Sequence, residues 1–174
     1  RGRKGETGLA RSLDGGETWS PEPFTISEAV PGAPVDFSNP DLAIRVTGGS
    51  WQHSPDRGKT WSTQRELPDF IGSRLMCRTD YKVLSKDECI LFICGAKRNG
   101  QEGRVFAVKT TDGGVSWEFM ASIGDEPEGY ATMPASAIFE NGDIFVAVRC
   151  ASPLRSVCWI DGYISTDGGR SFEF

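Results

Sequence analysis

The chain has 174 residues, of which 21 are Gly and 10 are Pro, and these turn-forming residues recur along its whole length, which disfavours long helices. With 19 Lys and Arg against 24 Asp and Glu, the net charge of −5 lacks the positive field that non-specific nucleic-acid binding needs, so we expect no nucleic-acid partner. The longest apolar run, at 90–94, is far shorter than the roughly 20 residues that cross a bilayer, so no membrane span is expected.

One eight-residue pattern organises the sequence. It reads Ser or Thr, any residue, Asp, any, Gly, any, Thr or Ser, and an aromatic residue, and it lies at 12–19, 54–61, 110–117 and 165–172. A Gly that permits positive φ, with Asp and hydroxyl groups that bond the nearby main chain, predicts a hairpin turn. Its aspartates are Asp14, Asp56, Asp112 and Asp167. We expect them to stabilise the turns rather than to bind a metal ion.

Strand patterns fill the intervals between these turns. Residues 1–30 carry the first turn with one strand ahead of it, and residues 36–67 form a short unit. Residues 73–123 predict four strands, at 73–84, 88–96, 104–111 and 116–123. Residues 135–174 predict the same plan, with strands at 135–139, 143–150, 157–165 and from 171 onward. Asn141-Gly142 between two apolar runs marks a hairpin in this last unit.

The spacing of the turns selects among all-β architectures. Successive turn aspartates are 42, 56 and 55 residues apart, close to the length of a four-stranded propeller blade. We therefore expect one partial β-propeller over residues 1–174, with about three blades and part of another. A single sandwich of about 12 strands fits the composition but not the repeat. A propeller closes with roughly 4 to 8 blades, so we expect this chain to be a fragment of a longer protein.

The repeat resembles the Asp-box, or BNR repeat, of the sialidase (neuraminidase) superfamily, although turns in sortilin-type receptors, xyloglucan-degrading enzymes and photosystem assembly factors are similar. Residues 11–19 resemble the first Asp-box of bacterial sialidases, including the Arg that precedes it. Residues 137–149 resemble the hairpin that ends in an Arg of the family's substrate-binding triad. Segments 78–81, 97–104 and 130–134 look like uncharacterised bacterial sialidase-family proteins.

The resemblance implies a six-bladed β-propeller and an exo-α-sialidase-like glycosidase that acts on an acidic sugar. It implies three Arg that grip the sugar carboxylate, an Asp as acid/base, and a Tyr nucleophile activated by a Glu. Arg149 matches the middle Arg of that triad, and the other two, with the Tyr, would lie outside residues 1–174. Near the family's Glu this sequence has Met133 and Pro134, which departs from the pattern. The resemblance also implies secretion or a periplasmic location.

Two groups of charged residues are candidates for the site in residues 73–123. Arg78 and Asp80 share one face of a predicted strand, where Arg78 can bind an anion and Asp80 can act as acid or base; a buried structural pair is the alternative. Lys97, Glu102 and Arg104 flank the Asn99-Gly100 turn. If that turn reaches the mouth of the propeller, Glu102 is a candidate general acid or base and its two cationic neighbours can bind substrate; otherwise all three are solvated hairpin charges.

Arg149 is the remaining substrate-binding candidate, because a charge that ends an apolar strand is costly unless it is paired or faces a cavity. Five cysteines without a CxxC pair, and a single histidine, His53, predict buried thiols with no metal ion or cofactor. The sequence therefore leaves two functions open: a glycoside hydrolase, or a non-catalytic Asp-box propeller that binds glycan or protein. It does not indicate an oligomeric state.

Overall fold

The computed structural model describes residues 9–27, 32–76 and 80–174, and in these parts the chain is all-β, as predicted. It contains no helix there that could cross a membrane. The strands are β1 (Leu9–Arg11), β2 (Ser20–Glu22), β3 (Thr25–Ile26), β4 (Ala43–Thr47), β5 (Ser50–Ser54), β6 (Thr60–Trp61), β7 (Arg65–Glu66), β8 (Asp80–Val83), β9 (Cys89–Ala96), β10 (Glu102–Thr110), β11 (Glu118–Ser122), β12 (Tyr130–Ile138), β13 (Ile144–Ala151) and β14 (Cys158–Ser165).

These strands form several separate small sheets. The two largest are antiparallel, with strand orders β11-β10-β9-β8 and β12-β13-β14, and β4-β5-β7 forms a third. A hairpin pairs β1 with β2, and a short parallel pair joins β3 to β6, which the sequence did not predict. None of the sheets closes on itself within the described ranges. The division into propeller blades, and their number, stay predictions.

Two predicted strands are shorter than the sequence pattern indicated. Among the described residues of the strand expected over 73–84, β8 is the regular part, and before it Leu75 forms an isolated bridge to Gly95. Residues 77–79, which include the candidate Arg78, lie outside the described residues. The strand expected from residue 171 is reduced to a bridge between Glu173 and Ile164.

Strand β9 is the centre of the core, because all eight of its residues are buried. Its side chains alternate between two clusters, as the two-residue period of a strand requires. Cys89, Leu91 and Ile93 face the cluster that includes Trp51 and Trp117. The even positions, such as Phe92, face the cluster formed with β12 and β13. The β8–β11 sheet is therefore packed between the other two large sheets.

The cysteine prediction holds for three of the four described thiols. Cys89, Cys94 and Cys150 are buried, and burial raises the pKa of the Cys89 thiol to about 12. Cys158 is exposed instead, because it begins β14, the edge strand of its sheet. Cys77 lies outside the described residues.

Candidate functional site

The Asp-box turns bind their own polar atoms. In the third box, the Thr110 hydroxyl donates to the Asp112 carboxylate at 2.8 Å, and the main-chain N–H of Gly114 donates to the Thr110 hydroxyl at 2.9 Å. The Ser116 hydroxyl donates to the other Asp112 oxygen at 2.6 Å. The same three contacts recur in the first, second and fourth boxes. These carboxylates are thus engaged within their own turns.

The electrostatics of the boxes agree with that geometry. Burial raises the pKa of the Asp112 carboxyl, but hydrogen bonds from Ser116, Thr110 and Val115 outweigh it and bring the pKa to about 2. The pKa values of Asp14, Asp56 and Asp167 are also lowered by donors within their turns. All four carboxyl groups therefore stay ionised at neutral pH.

The boxes define one end of the sheets, which we call the box end. Strand β10 runs from Glu102 to box residue Thr110, and β14 runs from Cys158 to box residue Ser165. Tyr130 at the start of β12 pairs with Ala151, which in turn pairs with Cys158. Glu102 and Tyr130 thus begin their strands at the opposite end, which we call the recess end.

A small recess of about 30 Å³ lies at the recess end, between β10 and the β12-β13 pair. It is lined by Glu102, Tyr130, Thr132, Met133, Arg149, Cys150, Ala151 and Arg155, and we call it the Arg149 recess. It brings together two of the sequence candidates, Glu102 and Arg149, from different sheets. Tyr130 and Arg155 also line the recess, and the sequence did not predict either of them as a site residue. Tyr130 does begin one of the segments on which the family resemblance rests.

Unusual backbone conformations are concentrated at this recess. Of the described residues other than glycine, Met133, Arg155 and Arg57 have positive φ, and the first two line the recess at 53° and 55°. Met133 lies where the β12–β13 register shifts between Thr132 and Ala135, as at a β-bulge. Bulges and strained residues re-aim side chains and are frequent beside functional sites. Here the bulge brings the Met133 sulfur within 3.5 Å of Arg149 Nη1.

Cationic side chains flank the Tyr130 ring. The guanidinium carbon of Arg155 lies 4.0 Å from the ring centre, and the Lys97 ammonium lies 5.5 Å from it. Both contacts are within the range of cation–π attraction. The ring thereby orients Arg155 at the wall of the recess.

Lys97 is buried, and its ammonium group is occupied by main-chain carbonyls. It donates to the oxygens of Pro127, Glu128 and Gly129 at 3.3, 2.8 and 2.6 Å. Three bonds use all three ammonium protons. A direct contact of Lys97 with substrate stays a prediction that this arrangement does not favour; its observed contacts fix the segment that leads into Tyr130.

Asp80 lies away from the recess and joins two sheets. Its carboxylate accepts from the main-chain N–H and the hydroxyl of Ser136, both at 2.6 Å, and Lys82 approaches it at 3.3 Å. Burial raises the pKa of Asp80, but the hydrogen bonds from Ser136 and the charge of Lys82 outweigh it, and the net pKa lies below the ordinary value. A role of Asp80 as acid or base at the recess stays a prediction that this position does not favour, because its carboxylate is engaged by Ser136 between the sheets.

Arg104 faces a different space from Glu102. The two residues are separated by Gly103, where the β9–β10 register shifts, and Glu102 lines the recess while Arg104 lines a neighbouring cleft. The Arg104 guanidinium lies 3.9 Å from the Glu126 carboxylate. An added Cβ at Gly103 would lie 3.2 Å from Lys97 and 3.3 Å from the Gly129 carbonyl, so the bulge is closely packed.

Metal-ligating groups do not gather at either end. Across 9–27, 32–76 and 80–174, no three His, Cys, Asp or Glu residues lie together as a metal ion would require. Burial, helped by the nearby charge of Arg65, lowers the pKa of His53 to about 4, so this imidazole is neutral at physiological pH.

The comparisons with known proteins identify the repeat and the fold. The family model described as BNR/Asp-box repeat matches residues 10–21. A protein of unknown function from Dyadobacter fermentans is 17% identical, with a TM-score of 0.59 over 71% of this chain and 36% of its own. A variant of an α-L-arabinofuranosidase from Fusarium graminearum, bound to an iminosugar inhibitor, is 15% identical, with a TM-score of 0.53 over 68% of this chain and 37% of its own.

At such low identities the likeness shows a common fold. The chain also spans little more than a third of the length of each of these proteins. The matched repeat and the sheets together establish an all-β protein that carries an Asp-box, with a fold found in a carbohydrate-active enzyme.

Proposed function

We propose that this chain is part of a sialidase-type β-propeller glycosidase and that the Arg149 recess is its reaction site. The observation that carries the proposal is that a carboxyl group, Glu102, and two guanidinium groups, Arg149 and Arg155, line one recess. Ligand sites are usually concave and carry a few convergent polar groups, and this recess, at about 30 Å³, has room for one small polar group of a ligand rather than for a whole sugar ring. The proposed parent protein has six blades.

In the proposed reaction, Glu102 is the general acid and base. Its carboxylic acid gives a proton to the glycosidic oxygen as the bond from that oxygen to the anomeric carbon breaks. Water then adds to the anomeric carbon and loses a proton to the Glu102 carboxylate. Proton transfer of this kind accelerates a reaction by roughly 10²–10⁴-fold.

The two arginines give the proposed site its preference for an acidic sugar. A guanidinium group binds a carboxylate through two parallel hydrogen bonds, which fixes both position and orientation. Arg155 is held by the face of Tyr130, and Arg149 by the Met133 sulfur. The likeness to an arabinofuranosidase suggests a neutral furanoside as the alternative substrate.

The recess supplies one carboxyl group from the described residues, whereas hydrolysis commonly uses two. We propose that the remaining catalytic group comes from another part of a longer protein. The proposal is consistent with the span of this chain, which covers about a third of the matched structures.

A non-catalytic propeller that binds glycan or protein is the second candidate. The contacts of Asp80 with Ser136 and of Lys97 with three carbonyls favour it, because both residues are engaged in packing. In that case Arg149 and Arg155 bind a ligand without any turnover.

A panel of fluorogenic glycosides tests the proposal. We expect turnover of a sialoside, and Arg149→Ala should lower kcat/KM about a hundredfold because a charged contact with substrate is lost. Arg170→Ala removes an exposed Arg in the fourth Asp-box and serves as the matched control. Turnover of an α-L-arabinofuranoside alone would overturn the acidic-sugar assignment. No turnover on any glycoside, with saturable glycan binding, would favour the binding module.

A further inference from the structure

The cleft beside the Arg149 recess carries an unusual concentration of positive charge. Arg74, Arg98 and Arg104 line it together with Ser73, and its volume is about 460 Å³. The chain as a whole has a net charge of −5, so three guanidinium groups around one cleft oppose the average charge of the protein. We call this space the Arg104 cleft.

Most of this charge is not neutralised by the residues that the structure describes. Within the part of the chain that the structure describes, the guanidinium groups of Arg74 and Arg98 form no hydrogen bond or ion pair. Arg104 approaches the Glu126 carboxylate at 3.9 Å, and that carboxylate also accepts from the main-chain N–H of Arg98 at 3.1 Å. Among the described residues, Glu126 is thus the one carboxylate whose contacts reach these arginines, and only the Arg104 guanidinium pairs with it.

The geometry of the cleft suits an anionic group that is part of a larger molecule. Its lining includes Ala96, the last residue of β9, and Gly100 in the turn that leads to β10, and its volume is within the range of small-molecule sites. Arg is weakly hydrated and binds carboxylate and sulfate oxygens in pairs, which makes desolvation in a cleft less costly than for Lys.

The cleft also adjoins the recess, because neighbouring residues of β10 line the two spaces. Glu102 and Arg104 are two residues apart on β10, and the bulge at Gly103 directs one to the recess and the other to the cleft. Lys97 forms part of the cleft wall, while its ammonium lies over the Tyr130 ring at the recess. An extended ligand that occupies one space would reach the other.

We infer that the Arg104 cleft binds an anionic unit, a carboxylate or a sulfate ester, of a polysaccharide. The cleft would hold this unit while a neighbouring sugar lies at the recess, and this second statement alone rests on the proposed function. Carboxylate and sulfate groups share the property that matters here: each is a compact anion that accepts hydrogen bonds from several guanidinium groups at once.

Titration calorimetry with dextran sulfate, polygalacturonate and uncharged dextran tests the inference. We expect the protein to bind at least one of the two polyanions and not dextran, and we expect the double variant Arg74→Ala, Arg98→Ala to lose about tenfold in affinity. The polyanion that binds more tightly identifies the anion as sulfate or carboxylate. Affinity should fall as salt rises from about 0.05 M to about 0.5 M.

A charge-matched control separates a site from general attraction. The double variant Lys86→Ala, Arg170→Ala removes two exposed cations outside the cleft and should change the affinity less than twofold, about the effect of a surface charge. An equal loss in the two double variants would overturn the inference, as would the absence of polyanion binding. Because binding is measured without turnover, a protein that binds in the cleft but hydrolyses no glycoside would retain the inference and contradict the proposed enzyme.

Discussion

The box end and the recess end of the sheets use polar side chains in opposite ways. At the box end, each Asp, such as Asp112, is saturated by donors within four residues of it. At the recess end, Glu102, Tyr130 and Arg149 come from three different strands. A group whose bonds are satisfied locally stabilises a turn, whereas groups that converge from distant positions leave room for a ligand. Substitutions at the two ends should therefore have different effects.

The aromatic residue of a box should matter in proportion to its burial. Trp117 in the third box is buried against Trp51 and Phe37, at ring-centre distances of 5.5 and 6.4 Å, while Trp19 in the first box is 63% exposed. We expect Trp117→Ala to lower the free energy of unfolding by about 4 kcal/mol. Trp19→Ala should cost less than about 1 kcal/mol. Urea denaturation compares the two, and equal losses would show that burial does not distinguish the boxes.

The box carboxylate should contribute through its hydrogen bonds. Asp112→Ala leaves the donors of Thr110 and Ser116 without their acceptor, and we expect the free energy of unfolding to fall by about 3 kcal/mol. The matched variant Asp14→Ala changes the same bonds in an exposed turn, where water replaces the carboxylate, so its effect should be smaller. A larger loss from Asp14→Ala, measured by the same denaturation, would contradict this account.

The same carboxylate predicts a dependence on pH. The pKa of Asp112 is about 2 in the folded protein against an ordinary value of 3.8, so its contribution is complete above about pH 4 and is lost as the pH falls towards about 2. Asp112→Asn cannot titrate, and its stability deficit relative to the wild type should therefore shrink over that interval. Unfolding measured at a series of pH values checks this, and a deficit that stays constant would argue against a lowered pKa.

Backbone strain at the recess end should lower the free energy of unfolding, so relieving that strain should raise it. Met133 has a φ of 53°, which glycine adopts without strain, so Met133→Gly should raise the free energy of unfolding by about 1 kcal/mol. Ile138→Gly, on the same strand and similarly exposed, should lower it by about 1 kcal/mol, the ordinary cost of glycine in a strand. Thermal unfolding of both variants is the measurement. A loss of stability in Met133→Gly would mean that the bulge is not strained.

The difference between the two ends also explains what the sequence could predict. The third box at 110–117 was recognisable because its interactions lie within eight residues, and the continuous apolar run at 90–94 marked the strand that is buried as β9. Arg155 was not recognisable, since it lies in a turn after β13 and joins the site only by contact with Tyr130. No local pattern encodes such a contact.

Two further differences have the same origin. The parallel pairing of β3 with β6 joins residues 35 positions apart and has no turn signal. The role of Asp80 was ambiguous, because a strand face shared with Arg78 is compatible with a site or a structural pair. A pairing with Arg78 lies outside the described residues. The hydrogen bonds of Asp80 to Ser136, 56 residues away, join the sheets, and only the packing of the two sheets determines them.

If the Arg149 recess is a reaction site, glycoside turnover should depend on Glu102, which Glu102→Gln tests when it is assayed beside Glu118→Gln. Glu118 is exposed on edge strand β11 and provides the same chemical change away from the recess. We predict that Glu102→Gln lowers kcat by at least about 10²-fold and that Glu118→Gln leaves kcat as it is. Turnover by Glu102→Gln at the wild-type rate would show that the recess is not the reaction site.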